Sequence, residues 1–365
     1  MTGRKNKTTS MMMGVICLLV LAVFVAACGN GGGSGNAGSA PAPTPVETPA
    51  PTDAAPENEP EAVEPPPRIK VTVGVTAVGA VQWPYYIAQS KGFYEEANIN
   101  IEVTAMESNT RTMQALIGGG IHIGGGSPDP LLKAVATGDA ELIIVGSVIN
   151  RPIYSFIAQG DVQSFDDLKG KRVGVSALKS MDGLWMDEVL RNNGVRDEVE
   201  IVEIGGTSAR FAALQANAIA GAWLGQPQDF TAISEGFQLL GYSTMAYDEL
   251  IWSSYSTTRK IAQSDPELIE RFLSVQRKAH EWLYDPANKE EAIQILADEA
   301  NTAYEDAANT YDLWIAQESL SKDGSATVGG IQSMIDYLTA ADELEASITV
   351  DQVLDNSFME RILAN

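Results

Sequence analysis

Cysteine and histidine are almost missing from this chain, with two of each in 365 residues. Cys17 and Cys28 cannot build a disulfide framework or a thiolate metal site. His122 and His280 lie far apart, with no His-Glu-x-x-His pattern and no acid cluster at ligand spacing, so a structural or surface role is expected of both and no metal site is expected. Basic residues are scarce as well: 24 Lys plus Arg stand against 48 Asp plus Glu, a net charge of -24. A surface this acidic repels phosphate backbones and disfavours nucleic-acid binding. There is no Gly-x4-Gly-Lys-Ser/Thr loop and no Gly-x-Ser-x-Gly elbow, so ATP hydrolysis by this chain and serine-hydrolase chemistry have no carrier. No cofactor is expected. One long apolar run exists, residues 11–27, and its 17 residues fall short of the roughly 20 that a membrane span needs.

What is present divides sharply along the chain. Residues 1–28 carry +3, residues 29–67 carry -6, and residues 68–365 carry -21. The basic start followed by the apolar run has the form of a signal peptide. The run stops at Val25-Ala26-Ala27-Cys28-Gly29, which resembles a bacterial lipobox and marks Cys28 for lipidation after cleavage at residue 27; an ordinary cleavage site or an uncleaved anchor is the plainer reading. Residues 28–67 hold ten of the chain's 17 prolines among Gly, Ala, Thr and Glu, a composition that buries no core and reads as an extended tether. The Gly33-x-Gly35-x-x-Gly38 match inside it has no strand before it and is compositional.

From Arg68 the pattern alternates strand and helix. Strands are expected over 68–76, 99–105, 121–124 and 142–148, with helices over 84–96, 110–117 and 130–137 between them. A second series of strands is expected over 154–158, 172–176, 200–204, 220–224 and 238–241, with helices over 181–193, 208–216 and 228–234. After Ser253 only helices are expected, two of them opened by Asp265-Pro266 and Asp285-Pro286. Strands joined by helices of this length imply parallel sheets with right-handed crossovers. The fold class is α/β, with a first lobe over 68–150, a second over 151–250, and a return segment and helical tail over 251–365 packing on the first lobe. Ligands of open α/β lobes bind beyond the carboxyl ends of the strands, so the strand-to-helix loops are where a site belongs.

Those loops share a character. The first carries Gln82, Trp83 and Tyr85, a polar handle and aromatic surface that either stack on a ligand or cover the sheet end as core. Asn109 opens the next helix, and Ser127 follows three glycines that let the backbone approach a ligand closely. In the second lobe Ser180, Thr207, Trp223 and Gln226 occupy the corresponding places. No arginine lies in these loops, and Trp83, Tyr85 and Trp223 point to a planar or aromatic solute.

Several stretches resemble the substrate-binding proteins of ABC importers for nitrate, sulfonates, taurine and thiamine precursors. Ala88-Gln89-Ser90-Lys91-Gly92-Phe93-Tyr94-Glu95-Glu96 is similar to the family's "A-x-x-x-G-F-F/Y" segment. Gln114-Ala115-Leu116, Asp167-Leu168-Lys169-Gly170-Lys171-Arg172-Val173-Gly174-Val175, Gly205-Gly206-Thr207 and Gln226-Pro227 follow in the family's order. One departure is Ala97-Asn98-Ile99, where the family carries a glycine. The resemblance implies a two-lobed type 2 periplasmic-binding-protein fold with crossovers near 150–155 and 250–255, Asn150, Arg151 and Tyr255 serving as hinges. It implies a solute held by Gln82, Trp83, Asn109, Ser127, Ser180, Thr207, Trp223 and Gln226, with Tyr85 beside them. It further implies a monomer that hands a small molecule to an ABC permease with a separate ATPase subunit, held outside the membrane by a lipid on Cys28. The alternatives are an enzyme of cofactor biosynthesis on the same fold, a receptor for a simple anion such as nitrate or a sulfonate, and a sensory receptor.

Overall fold

The structure, a computed structural model, describes residues 68–76, 79–106 and 108–364. The segments expected to be a leader and a tether, with Cys28 between them, lie outside the described residues. The first sheet is built from β1 (Ile69–Val75), β2 (Ile99–Ala105), β3 (Ile123–Gly126) and β4 (Leu142–Ile149). Between them run α1 (Trp83–Ser90), α2 (Phe93–Glu96), α3 (Asn109–Ile117) and α4 (Asp129–Thr137). The single helix expected over 84–96 is two, because Gly92 turns the chain at a φ of 71°. Asn98, at the position where the family carries glycine, holds a φ of 55°, a left-handed conformation that asparagine tolerates through its short polar side chain.

The second sheet holds β5 (Ser155–Ala158), β6 (Arg172–Val175), β7 (Glu200–Glu203), β8 (Gly221–Leu224) and β9 (Gln238–Tyr242), with α5 (Met181–Asn192), α6 (Thr207–Gln215) and α7 (Gln228–Ser234) as its crossovers. The chain then returns as β10 (Ser253–Thr258) and the tail helices α8 (Arg259–Ser264), α9 (Pro266–Tyr284), α10 (Lys289–Glu299), α11 (Tyr304–Ala316), α12 (Val328–Ala340), α13 (Val350–Val353) and α14 (Ser357–Leu363).

The sheets have matching topologies. The first runs β2-β1-β3-β10-β4 and the second β7-β6-β8-β5-β9. In each, the fourth strand is antiparallel to both neighbours. That strand is the one the chain enters on arrival from the other lobe: β5 follows the crossover at 150–154, and β10 follows the crossover at 243–252.

β10 corrects the expectation that only helices follow Ser253. Its sequence, SSYSTT, has no apolar alternation, yet all but its last residue are buried. The hydroxyls meet their needs inside the sheet: Ser254 Oγ donates to the Gly126 carbonyl at 3.2 Å and Thr257 Oγ1 to the His122 carbonyl at 2.8 Å. A buried strand satisfied by its own hydroxyls leaves no hydrophobic period to read. Tyr255 is therefore no hinge. It sits in mid-strand, fully buried, with its hydroxyl 2.9 Å from Gln276 Oε1 and 3.1 Å from His280 Nε2.

The tail covers the first lobe. α9 and α10 pack on α1, and α12 packs on α4. It also touches the second lobe: Tyr337 Oη donates to the Lys179 carbonyl at 3.3 Å, and Trp314 Nε1 to Gln226 Oε1 at 3.3 Å. Both crossovers rest on one ring. Trp185 of α5 lies 5.7 Å from Tyr154 of the first crossover and 5.9 Å from Trp252 of the second, centroid to centroid. Among the described residues no helix is long and apolar enough to cross a membrane.

His280 generates a pH test of this core. It is fully buried, and burial pushes its imidazole down from 6.5 to about 4. Between those values the unfolded chain binds a proton that the native state refuses. Stability contributed by the neutral ring is thus intact above the higher value and is lost as pH falls toward the lower one, by on the order of 3 kcal/mol. Urea unfolding at stepped pH measures it. His280→Gln should flatten this part of the slope, and parallel curves for the two proteins would refute the assignment.

Candidate functional site

The loop after β3 in the first sheet and the loop after β6 in the second border a common pocket. Ser127 and Asp129 from the first lobe, Lys179 and Ser180 from the second, and Tyr337 and Glu343 from the tail line one pocket of about 290 Å³. Of the residues nominated from sequence, Ser127 and Ser180 are thus brought together from different lobes.

Each is placed by local chemistry. Gly126 ends β3 at a φ of 145°, and a Cβ there would stand 2.5 Å from Asn109 Oδ1. That close approach lets Asn109 accept the Ser127 N–H at 3.0 Å, so Asn109 shapes the loop and Ser127 faces the pocket. The Ser127 hydroxyl hydrogen-bonds the Asp129 carboxylate, whose burial raises its pKa. Lys133, one turn further along α4, pairs with Glu343 at 3.0 Å. Ser180 is the N-cap of α5, and its Oγ accepts from Gly183 N–H and lies 2.5 Å from Asp182 Oδ1.

Behind Ser180 stands a residue that sequence reasoning missed. Arg210 has 3% of its side chain exposed and forms an ion pair with Asp182 at 3.1 Å. Its Nε donates to the Trp223 carbonyl at 2.9 Å, one Nη to the Gly205 carbonyl at 2.5 Å, and the other to Thr207 Oγ1 at 3.3 Å. One guanidinium therefore ties the ends of β7 and β8 to the start of α5. Thr207 serves this network. The available signal was spacing: Arg210 stands three residues after Thr207 on one helix face, and helical side chains lean back toward the N-terminus.

The aromatic nominees are packed elsewhere. Trp83 is fully buried, its Nε1 donates to the Ala292 carbonyl at 2.9 Å, and its ring lies 5.9 Å from Tyr311 and 6.3 Å from Trp314. Trp223 is fully buried edge-on to Phe156 at 5.0 Å. Trp83 enters the core from the first position of α1 and Trp223 from within β8, whose residues are all buried. Tyr85 packs against Tyr255 and, with Gln82, borders a separate cavity of about 270 Å³ in the first lobe. Gln226 contacts Asp229 and Trp314. In the first crossover, Asn150 accepts the Leu250 N–H at 2.9 Å, and Arg151 reaches Asp248, so the two crossovers are bonded side by side.

Residues 80–289 match the model of the family described as NMT1/THI5-like. The chain belongs to that family. It is 27% identical over 271 residues to a Brucella abortus protein provisionally named a binding protein, a match covering 72% of this chain and 82% of that one. Among solved structures, the periplasmic aliphatic sulphonate binding protein SsuA from Escherichia coli shares the fold with a TM-score of 0.63 at 18% identity, over 78% of this chain and 91% of that one. The desulfurization enzyme DszB shares it with a TM-score of 0.60 at 15% identity, over 81% of this chain and 99% of that one. The shared fold is that of the two-lobed periplasmic-binding-protein class.

The Arg210–Asp182 pair carries a direct prediction. Arg210→Met should destabilise by about 3–5 kcal/mol in urea unfolding, because Asp182 is left buried and uncompensated. Adding Asp182→Asn should recover much of that loss, and an unchanged midpoint in the single variant would remove the pair from the account.

Proposed function

We propose that the chain is the extracytoplasmic solute-binding component of an ABC importer, closing its lobes on a small organic solute and delivering it to a permease whose separate ATPase supplies energy. The carrying observation is that Ser127 and Ser180, from loops in opposite lobes, line one pocket walled on its third side by Tyr337 of the tail. In this reading residues 1–27 are a leader, Cys28 is the lipidated anchor, 28–67 is the tether, 68–150 and 251–365 form the first lobe and 151–250 the second. Asn150 and Arg151 act as hinge residues, and the protein works as a monomer.

The solute contacts we propose are Ser127 and Ser180, with Asp129, Lys179 and Tyr337 beside them. Carboxylate and ammonium stand on opposite lobes, so a polar solute spanning the gap would draw the lobes together. An aromatic or heteroaromatic solute finds support in Tyr337 rather than in Trp83 or Trp223. A sulfonate or similar anion finds support in Lys179, in the start of α5 and in the ligand named for the E. coli neighbour. The enzyme reading draws on the fold shared with the desulfurization enzyme.

A thermal-shift panel of pyrimidines, flavins, aromatic acids, sulfonates and nitrate tests this. A true solute at a hundred times its Kd should stabilise by about 2.7 kcal/mol. The double variant Ser127→Ala, Ser180→Ala should lose that shift. Because Ser180 caps α5, its solute-free melting temperature falls as well, by the equivalent of about 1 kcal/mol, so the shift is read against the variant's own solute-free curve. Stabilisation by nitrate or taurine alone would sink the aromatic preference, and chemical turnover of a bound member would favour the enzyme reading.

A further inference from the structure

Among the described residues, and away from the crossovers, two hydrogen bonds join the tail to the second lobe, and they differ in kind. Tyr337 donates to a main-chain carbonyl, which has no other state. Trp314 donates from Nε1 to the side-chain amide of Gln226, which has two. The amide is oriented by Asp229: Gln226 Nε2 donates to Asp229 Oδ2 at 2.8 Å. That carboxylate is fully buried and also accepts from Ser155 Oγ at 2.6 Å and from the Phe230 N–H at 2.8 Å.

We propose that Asp229, Gln226 and Trp314 form a proton-sensitive latch between the lobes, engaged when Asp229 is ionised and released when it takes up a proton. The reason is the polarity of the amide. An ionised carboxylate only accepts, so it faces the NH2 end of Gln226 and leaves the carbonyl oxygen for the indole, which only donates. With Ser155 Oγ still donating to Oδ2, a proton on the side of Oδ2 that faces Gln226 makes that oxygen a donor whose partner is the carbonyl end of the amide. The amide then turns, NH2 meets the indole N–H, and the bond to Trp314 is lost. Trp314 cannot follow, because its ring is packed beside Trp83, whose own N–H is fixed to the Ala292 carbonyl.

The surroundings move the titration of Asp229 above the ordinary aspartate value. Burial raises the Asp229 pKa, and the three hydrogen bonds pull the other way. Among the described residues no Lys, Arg or His forms an ion pair with it. The charged and titratable groups on the elements around it are committed elsewhere: Arg210 of α6 to Asp182, Glu235 beyond α7 to Gln215, Arg151 to Asp248, Asp312 of α11 to Lys289, and the Tyr311 hydroxyl to the Leu283 carbonyl. Tyr242 of β9 is raised by burial and by the Asp229 charge itself, so it stays neutral over this range. The latch needs no solute, so it stands or falls independently of the transport reading.

The six tryptophans make indole N–H resonances a direct readout in the solute-free chain. Trp314→Phe identifies the relevant peak. As pH is lowered from neutrality that peak should move upfield, with an inflection above the ordinary aspartate value. Its protection against exchange, taken relative to the intrinsic rate at each pH, should fall about tenfold, the net worth of one hydrogen bond. Asp229→Asn should abolish the inflection, and Gln226→Met, which keeps the bulk and removes the amide, should give the released shift at every pH. A Trp314 peak that ignores pH while the chain stays folded would overturn the latch. So would an inflection that survives in Gln226→Met, the deciding variant should Asp229→Asn fail to fold.

Discussion

The arrangement depends on each sheet accepting, between two of its own parallel strands, a strand delivered by the other lobe. β5 and β10 are antiparallel insertions, and the chain reaches each of them directly from a crossover. Both crossovers are thus anchored by full ladders of backbone hydrogen bonds a few residues away. In the lobe closure proposed above, φ/ψ change would fall in 150–154 and 243–252, because strands bonded on both edges cannot absorb it. The Asn150–Leu250 bond and the Trp185 ring against both segments make the two crossovers behave as one bearing.

Within the second lobe the cleft is organised by a buried charge rather than by exposed polar loops. Arg210 collects two carbonyls, a hydroxyl and a carboxylate from separate segments, leaving Ser180 and the start of α5 in a defined position. Taking a guanidinium out of water is costly unless each donor is matched, and four matched contacts meet that condition. The same economy explains why Thr207 turns inward. Its hydroxyl is an acceptor within the network.

The alternation of helix and strand was legible because parallel strands buried on both faces are apolar and their crossovers amphipathic. The lobes follow from that period and from turn residues such as Gly92. β10 was not legible, since a serine-rich strand whose hydroxyls bond inside the sheet has the composition of a loop. The site divided by the same logic. Ser127 and Ser180 could be found because loop position after a strand predicts exposure at the sheet end. Trp83 and Trp223 could not be assigned, because a tryptophan beside such a loop satisfies stacking and core packing equally in sequence, and only the facing Phe156, Tyr311 and Trp314 decide for the core. Arg210 escaped although its spacing from Thr207 was legible, because spacing does not say which carbonyls and carboxylate it meets on bending back. Tyr337, from a tail more than a hundred residues after Ser180, had no local signature.

That last residue has a consequence for the family. The matched segment ends at residue 289, and the pocket wall bearing Tyr337 and Glu343 lies beyond it. Scaffold and discriminator are therefore written in different parts of the chain. The side chain at 337 can differ between relatives without altering a strand or the guanidinium knot, whereas the start of α12 is tied to the second crossover, where Gly330 accepts the Ile251 N–H at 3.0 Å. With the pocket as the proposed solute site, differences in solute preference between relatives would accumulate first in the tail.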